Sequence, residues 1–190
     1  MLPLTGYGGK MITALFDVTG HTGNDAACTP ARTAERLAGS LASLVPAVIE
    51  GLVSDAIIRD VAQNSAIRDV ADQAGARLIA GTPAQAVAAA RGSWLLLLEP
   101  GARLEPGWAG LVRRFIESGV GDTAHLSIAG RRGFFAGLFA RPRALRRGFL
   151  IARPTAASMA GKAQSLQALA RGRAGRRISA GLVPPEAWPD

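Results

Sequence analysis

The sequence contains one cysteine, Cys28, and two histidines, His21 and His125. A lone cysteine cannot form an internal disulfide, and it excludes a metal site built from a cysteine cluster. The histidines stand far apart in the sequence, and a nitrogen-ligated metal site needs ligands that converge. We therefore expect each histidine in a loop or at the surface. The cysteine usage is typical of a reducing compartment, and a cytoplasmic location is predicted.

Long apolar runs are also missing. The run Trp94–Leu98 lies between Arg91 and Glu99 and falls well short of the ~18 residues that a membrane-spanning helix needs. Residues 1–10 lack the basic start and apolar stretch of a signal peptide, and we interpret them as an N-terminal extension. Aromatic residues make up 5% of the chain and no nucleic-acid-binding motif is present, which disfavours nucleic acid as a partner.

Arginine, by contrast, is abundant. The formal net charge is +8, and only Lys10 and Lys162 among the 22 basic residues are lysines. The planar guanidinium group suits phosphate and carboxylate contacts, so the bias fits a functional basic surface. A GC-rich coding sequence would also enrich arginine together with alanine and glycine, and both explanations stay open. The 48% hydrophobic content favours a folded core over disorder.

Strand and helix patterns alternate through the first two thirds of the chain. Apolar periodicity and end signals predict strands at 13–17, 52–58, 76–80 and 94–98, and helices at 33–45, 67–74, 83–91 and 108–118. This alternation predicts a single-domain α/β fold, Rossmann-like, with a mostly parallel sheet and helices on both faces.

The pattern weakens after Gly119. We predict strands at 123–129 and 146–152, helices at 134–139 and 165–171, and a proline-rich tail at the end. The predicted organisation is an extension at 1–10, an α/β core at 11–118, a divergent region at 119–183 and a tail at 184–190.

Several local strings resemble one known family. Ile57-Ile-Arg-Asp60 precedes Asp69-Val-Ala-Asp-Gln-Ala-Gly-Ala76, and Ala88-Ala-Ala-Arg-Gly-Ser-Trp-Leu-Leu-Leu-Leu98 precedes Arg103-Leu-Glu-Pro-Gly-Trp108. Together with Leu37–Pro46, these strings make residues 11–118 similar to bacterial family 2 glycosyltransferases. The resemblance implies a GT-A type, nucleotide-diphospho-sugar transferase-like fold. It also implies transfer of a sugar from a nucleotide-sugar donor to an unknown acceptor, with 11–118 as the nucleotide-sugar-binding-like core and 119–183 as the acceptor-side region.

The resemblance assigns roles to three acids. Asp17 and Asp60 would contact the nucleotide, and Glu99 would bind a divalent cation, Mn²⁺ or Mg²⁺, that neutralises the diphosphate. The family's second metal-binding acid falls on Gly101, which has no ligand side chain. Its catalytic acid pair falls on the segment 159–165, which contains no acid, so the catalytic residues stay unknown. The alternative is a catalytically inactive relative that binds a nucleotide, a membrane or a partner protein.

A basic and aromatic segment spans residues 131–153. Its arginines surround Phe134, Phe135, Leu138, Phe139 and Phe149. An amphipathic stretch of this kind suits an anionic membrane surface, which predicts a peripheral position at the inner face of the membrane. The alternative is a core helix and strand with solvated arginines at their ends.

Overall fold

The computed structural model describes residues 10–19, 29–128, 144–171 and 175–184. Within these ranges, seven α-helices cover the two faces of one eight-stranded sheet. The strands are β1 (Ile12–Asp17), β2 (Val53–Arg59), β3 (Arg77–Ile79), β4 (Trp94–Leu98), β5 (Arg103–Leu104), β6 (Thr123–Ile128), β7 (Phe149–Ala152) and β8 (Arg176–Val183). The helices are α1 (Pro30–Ala42), α2 (Val45–Ile49), α3 (Ser65–Ala74), α4 (Pro83–Ala89), α5 (Trp108–Ser118), α6 (Arg153–Ala160) and α7 (Leu166–Ala170).

The first four strands form the parallel half of the sheet. Their order is β3-β2-β1-β4, and each is joined to the next in the chain by one or two helices. In the shared register, Leu15 of β1 lies between Ile57 of β2 and Leu97 of β4. Because the strands run in one direction, their carboxyl ends meet at one edge, which we call the carboxyl edge.

The other half of the sheet corrects the prediction of a mostly parallel sheet. Strand β7 runs antiparallel to β4, β6 is antiparallel to β7, and β5 is antiparallel to β8, whereas β6 and β8 are parallel. The sheet is therefore mixed. An apolar run such as Phe149–Ala152 has the same pattern in either direction, so periodicity alone cannot reveal this reversal.

Side chains alternate between two cores, one on each face of the sheet. On β1, Phe16 packs into the core that includes helices α1, α3 and α5, whereas Leu15 packs into the core with α4, α6 and α7. In the first core, the rings of Trp94 and Phe115 meet edge to face with 5.9 Å between their centroids. The prediction of helices on both faces is confirmed.

Most helix ends follow signals in the sequence. Thr29 caps α1 by accepting from Arg32 N, and Thr82 with Gln85 forms a capping box at α4. Gly75 adopts a left-handed conformation at the end of α3, with φ of 65°. The helix predicted at 33–45 begins earlier, at Pro30, and gives way to the short helix α2.

Four elements, α2, α6, β5 and β8, were not predicted from the sequence. In β8, Ile178, Ala180 and Leu182 are buried, but alanine and glycine dilute the alternating pattern. The helix predicted at 134–139 and most of the predicted tail and N-terminal extension lie outside the described residues. Among the helices that the structure describes, none is long and apolar enough to cross a membrane.

Candidate functional site

The carboxyl edge gathers the buried charged residues. Among the described residues, the charged residues that are buried as whole residues are Asp17, Arg59, Asp60 and Glu99, while the side chain of Asp55, away from this edge, is also only 8% exposed. Asp17 ends β1, Arg59 and Asp60 end or directly follow β2, and Glu99 directly follows β4. The carboxyl edge of an open α/β sheet is where ligands bind. The three acids predicted as site residues thus follow three adjacent strands.

Asp17 is held by a buried ion pair. Arg59 Nη1 donates to Asp17 Oδ1 at 3.0 Å and to Oδ2 at 3.2 Å, because the two residues are in register on β1 and β2. Asp17 Oδ1 also accepts from Thr19 N, and Oδ2 accepts from Leu166 N at 3.0 Å. The carboxylate therefore joins β1, β2 and the start of α7.

Asp60 organises the turn between β2 and α3. Its Oδ1 accepts from Ala62 N at 3.1 Å, and its Oδ2 accepts from Asn64 N at 2.7 Å. A cleft of about 400 Å³ adjoins the turn, lined by Asp60, Gln63, Arg68, Asp72, Leu78 and Ala80. Each carboxylate oxygen has a second lone pair, so Asp60 retains acceptor capacity towards a ligand.

Glu99 begins a tight turn at the end of β4. Its carbonyl oxygen accepts from Ala102 N at 3.0 Å, and Gly101 has a φ of 93°, which favours glycine. Gly101 N donates to the buried hydroxyl of Ser40 at 2.8 Å, which fixes the turn against α1. The second metal-binding acid that the family resemblance implies would stand at Gly101, where the backbone conformation itself disfavours an acidic side chain.

A resident divalent cation needs several oxygen ligands from the protein. In the part of the chain that the structure describes, no group of three or more histidine, cysteine, aspartate or glutamate side chains is placed to hold one. Glu99 would give one ligand, and Asp17 already accepts from Arg59 and two backbone amides. These residues do not fit a metal held by the protein alone.

The residue that follows the acid-free segment 159–165 contacts the site through its backbone amide. After the turn at Gly161, Ser165 caps α7, and Leu166 N donates to Asp17. Neither this amide nor the role of Arg59 was predicted from the sequence. A basic residue beside Asp60 was visible, but its pairing with Asp17 depends on the strand register.

Other predicted residues lie elsewhere. His125 is half-buried in β6, not in a loop, and its ring packs on Phe149 with 4.9 Å between centroids. His21, Cys28 and the predicted membrane-binding residues 131–143 lie outside the described residues. Phe149, at the end of that basic segment, is fully buried in β7, as the core alternative expects.

No family model matches the chain, and no curated protein matches it. Solved structures do. One is glucosyl-3-phosphoglycerate synthase from Mycobacterium tuberculosis in complex with Mn²⁺, uridine diphosphate (UDP) and phosphoglyceric acid. Its TM-score is 0.52 at 14% identity, over 78% of this chain and 57% of that one. Another structure of the M. tuberculosis synthase has a TM-score of 0.56 at 13% identity, over 93% and 72%.

Mannosyl-3-phosphoglycerate synthase from Rubrobacter xylanophilus is also similar, with a TM-score of 0.53 at 15% identity over 77% of this chain. The chain covers 55% of that protein, so it spans little more than half its length. At such low identities the similarity shows the fold, and the chain has the fold of the GT-A type nucleotide-sugar transferases.

Proposed function

We propose that this chain is a glycosyltransferase-like protein that binds a nucleotide-sugar donor at the carboxyl edge of β1, β2 and β4. The observation that carries the proposal is the clustering of four buried charged residues, Asp17, Arg59, Asp60 and Glu99, at that edge. Buried charges are costly unless they are paired or used, and here they occupy the position where ligands bind in this class of sheet.

In this proposal each acid has a role. Asp17 and Asp60 belong to the nucleotide side of the site, and Glu99 faces the diphosphate. Mg²⁺ and similar cations are often bound by one or two carboxylates together with substrate phosphates, so Glu99 and the diphosphate would share the cation. The M. tuberculosis synthase, whose structure was solved in complex with Mn²⁺ and UDP, supports the choice of ligand.

Calorimetric titration tests donor binding. UDP-glucose, UDP and GDP-mannose are titrated into the protein with Mn²⁺ and, separately, with a chelator. We expect one nucleotide to bind, and more tightly with Mn²⁺. Glu99→Gln should remove the metal enhancement and leave metal-free binding unchanged. Glu117→Gln, the same change at an exposed site on α5, is the matched control. Absence of binding under every condition would contradict the proposal.

A second candidate, binding without sugar transfer, is favoured by the acid-free segment 159–165 and by Gly101. An inverting transferase needs a carboxylate base near the acceptor hydroxyl, and that segment offers none. Release of UDP from UDP-glucose, with and without 3-phosphoglycerate, separates the two. Turnover supports a transferase, whereas donor binding without turnover supports a binding module.

A further inference from the structure

Arg59 is a buried arginine whose hydrogen bonds are incomplete. Its Nε donates to Gly81 O at 2.8 Å, and its Nη1 donates to Asp17 and to Thr19 Oγ1. Its side chain is 8% exposed. Among the described residues, no acceptor contacts Nη2, and Nη2 is not one of the buried atoms that lack a partner, so it is open to solvent. A guanidinium has five N–H donors, and two of those in Arg59 are therefore held in place and left open to solvent.

The fixed position of Arg59 makes this gap informative. Contacts to two segments of the chain, at Asp17 and Thr19 and at Gly81, fix the plane of the guanidinium. Little side-chain entropy would be lost when a ligand binds to it.

The location of Arg59 identifies the kind of ligand. Arg59 is the last residue of β2, in register with Asp17, at the edge proposed to bind the donor. Free guanidinium donors favour oxyanions, because charge-assisted hydrogen bonds are about twice as strong as neutral ones. The described residues of the proposed site also lack a complete set of metal ligands, and a fixed guanidinium is an available partner for negative charge.

We propose that Arg59 binds a phosphate group of the ligand through Nη2, without a metal ion, and that Asp17 positions the guanidinium for this contact. The inference rests on the proposed function only for the identity of the phosphate. That phosphate belongs either to the nucleotide diphosphate of the donor or to a phosphorylated acceptor.

The test uses a charge-neutral double variant. Asp17→Asn with Arg59→Gln removes the ion pair without changing the net charge or leaving a buried charge unpaired. The matched control is Asp55→Asn with Arg77→Gln, which removes the ion pair that joins β2 and β3 away from the carboxyl edge. Inorganic pyrophosphate, UDP and 3-phosphoglycerate are titrated calorimetrically in the presence of a chelator, and thermal unfolding checks that each variant is folded.

We expect the native protein to bind at least one phosphate compound without metal. The Asp17/Arg59 variant should bind it about 10- to 100-fold more weakly, the effect of a hydrogen bond to a charged group. The Asp55/Arg77 control should stay within about threefold of the native protein. If the double variant does not fold, Arg59→Lys replaces it. That variant keeps a cation beside Asp17, removes Nη2, and should also weaken binding.

The outcomes separate the two proposals. Arg59-dependent binding of pyrophosphate and UDP assigns the phosphate to the donor, and dependence limited to 3-phosphoglycerate assigns it to the acceptor. Binding of UDP that is equal in native and Arg59 variants overturns the inference and leaves the proposed function standing. If pyrophosphate binding depends on Arg59 but no nucleotide binds, the inference stands and the proposed function is overturned. Absence of metal-free phosphate binding overturns the inference.

Discussion

At the scale of single residues, the buried acids of the carboxyl edge are held by different partners. Asp17 is held largely by the guanidinium of Arg59, so its contribution to the stability of the fold depends on charge. Asp60 accepts from two backbone amides, so its contribution depends on the geometry of the turn. A substitution at Asp60 therefore affects folding before it affects any ligand.

The Asp60 turn gives a graded prediction. Asp60→Ala removes both acceptors and leaves the amides of Ala62 and Asn64 without them, which should lower the free energy of unfolding by about 1–3 kcal/mol. Asp60→Asn keeps one acceptor oxygen and should lower the free energy of unfolding by less. Urea denaturation followed by circular dichroism measures both. Asp72→Ala changes an exposed aspartate on the same cleft and should stay within about 0.5 kcal/mol. Equal stability of the Asp60 variants and the native protein would contradict the structural role.

The sequence indicated where the acids lie but not what they contact. Asp17, Asp60 and Glu99 each follow an apolar run, and the structure places all three at strand ends. The pairing of Asp17 with Arg59 joins residues 42 positions apart and depends on the register of β1 and β2. Neither the register nor the amide of Leu166 leaves a local signal, so Arg59 was not predicted as a site residue.

At the scale of secondary-structure elements, the entry to β4 depends on a close backbone contact. Gly92 N donates to Thr13 Oγ1 at 2.8 Å, just before β4 pairs with β1. A Cβ atom added at Gly92 would lie 2.5 Å from Thr13 N and 2.7 Å from Met11 O. Backbone atoms in a central pair of strands cannot move aside easily, so glycine is needed here.

This contact predicts opposite effects for two similar substitutions. Gly92→Ala should lower stability by about 1–3 kcal/mol, because it forces β1 and β4 apart. Gly110→Ala lies on the exposed side of α5 with nothing within 4 Å of the new Cβ, and should raise stability by about 0.5–1 kcal/mol. Thermal unfolding of both variants measures the difference. Destabilisation of similar size in both would show that a general intolerance of alanine, rather than the β1–β4 contact, is responsible.

Elements with strong local signals were predicted well. The strand Trp94–Leu98 and the helix Trp108–Ser118 have the predicted bounds, because one is a continuous apolar run and the other a clear amphipathic pattern ended by Gly119. The two-residue strand β5 is too short for any periodicity. Its pairing with β8 is a long-range contact, in which Leu104 faces Leu182.

At the scale of the whole molecule, the two halves of the sheet share β4. Leu95, Leu96 and Leu97 pair with β1 on one side and with β7 on the other. The glycosyltransferase-like resemblance covered residues 11–118, but the strands that complete the sheet come from residues 123–183. The direction of these later strands comes from tertiary pairing, which explains why a mixed sheet was not predicted.

The shared strand predicts that residues 1–118 do not fold alone. A chain ending at Ser118 loses β6, β7 and β8, exposes one edge of β4, and removes the buried residues Phe149, Leu150 and Ile151 from the core. An uncovered apolar edge promotes aggregation, and small domains unfold as one cooperative unit. We expect one thermal transition for the full chain and none for the truncated chain, as measured by circular dichroism. A chain ending at Pro184 keeps every strand that the structure describes and should melt within about 2 °C of the full chain. A cooperative transition in residues 1–118 would instead support an independent nucleotide-sugar-binding core with the predicted boundary at residue 118.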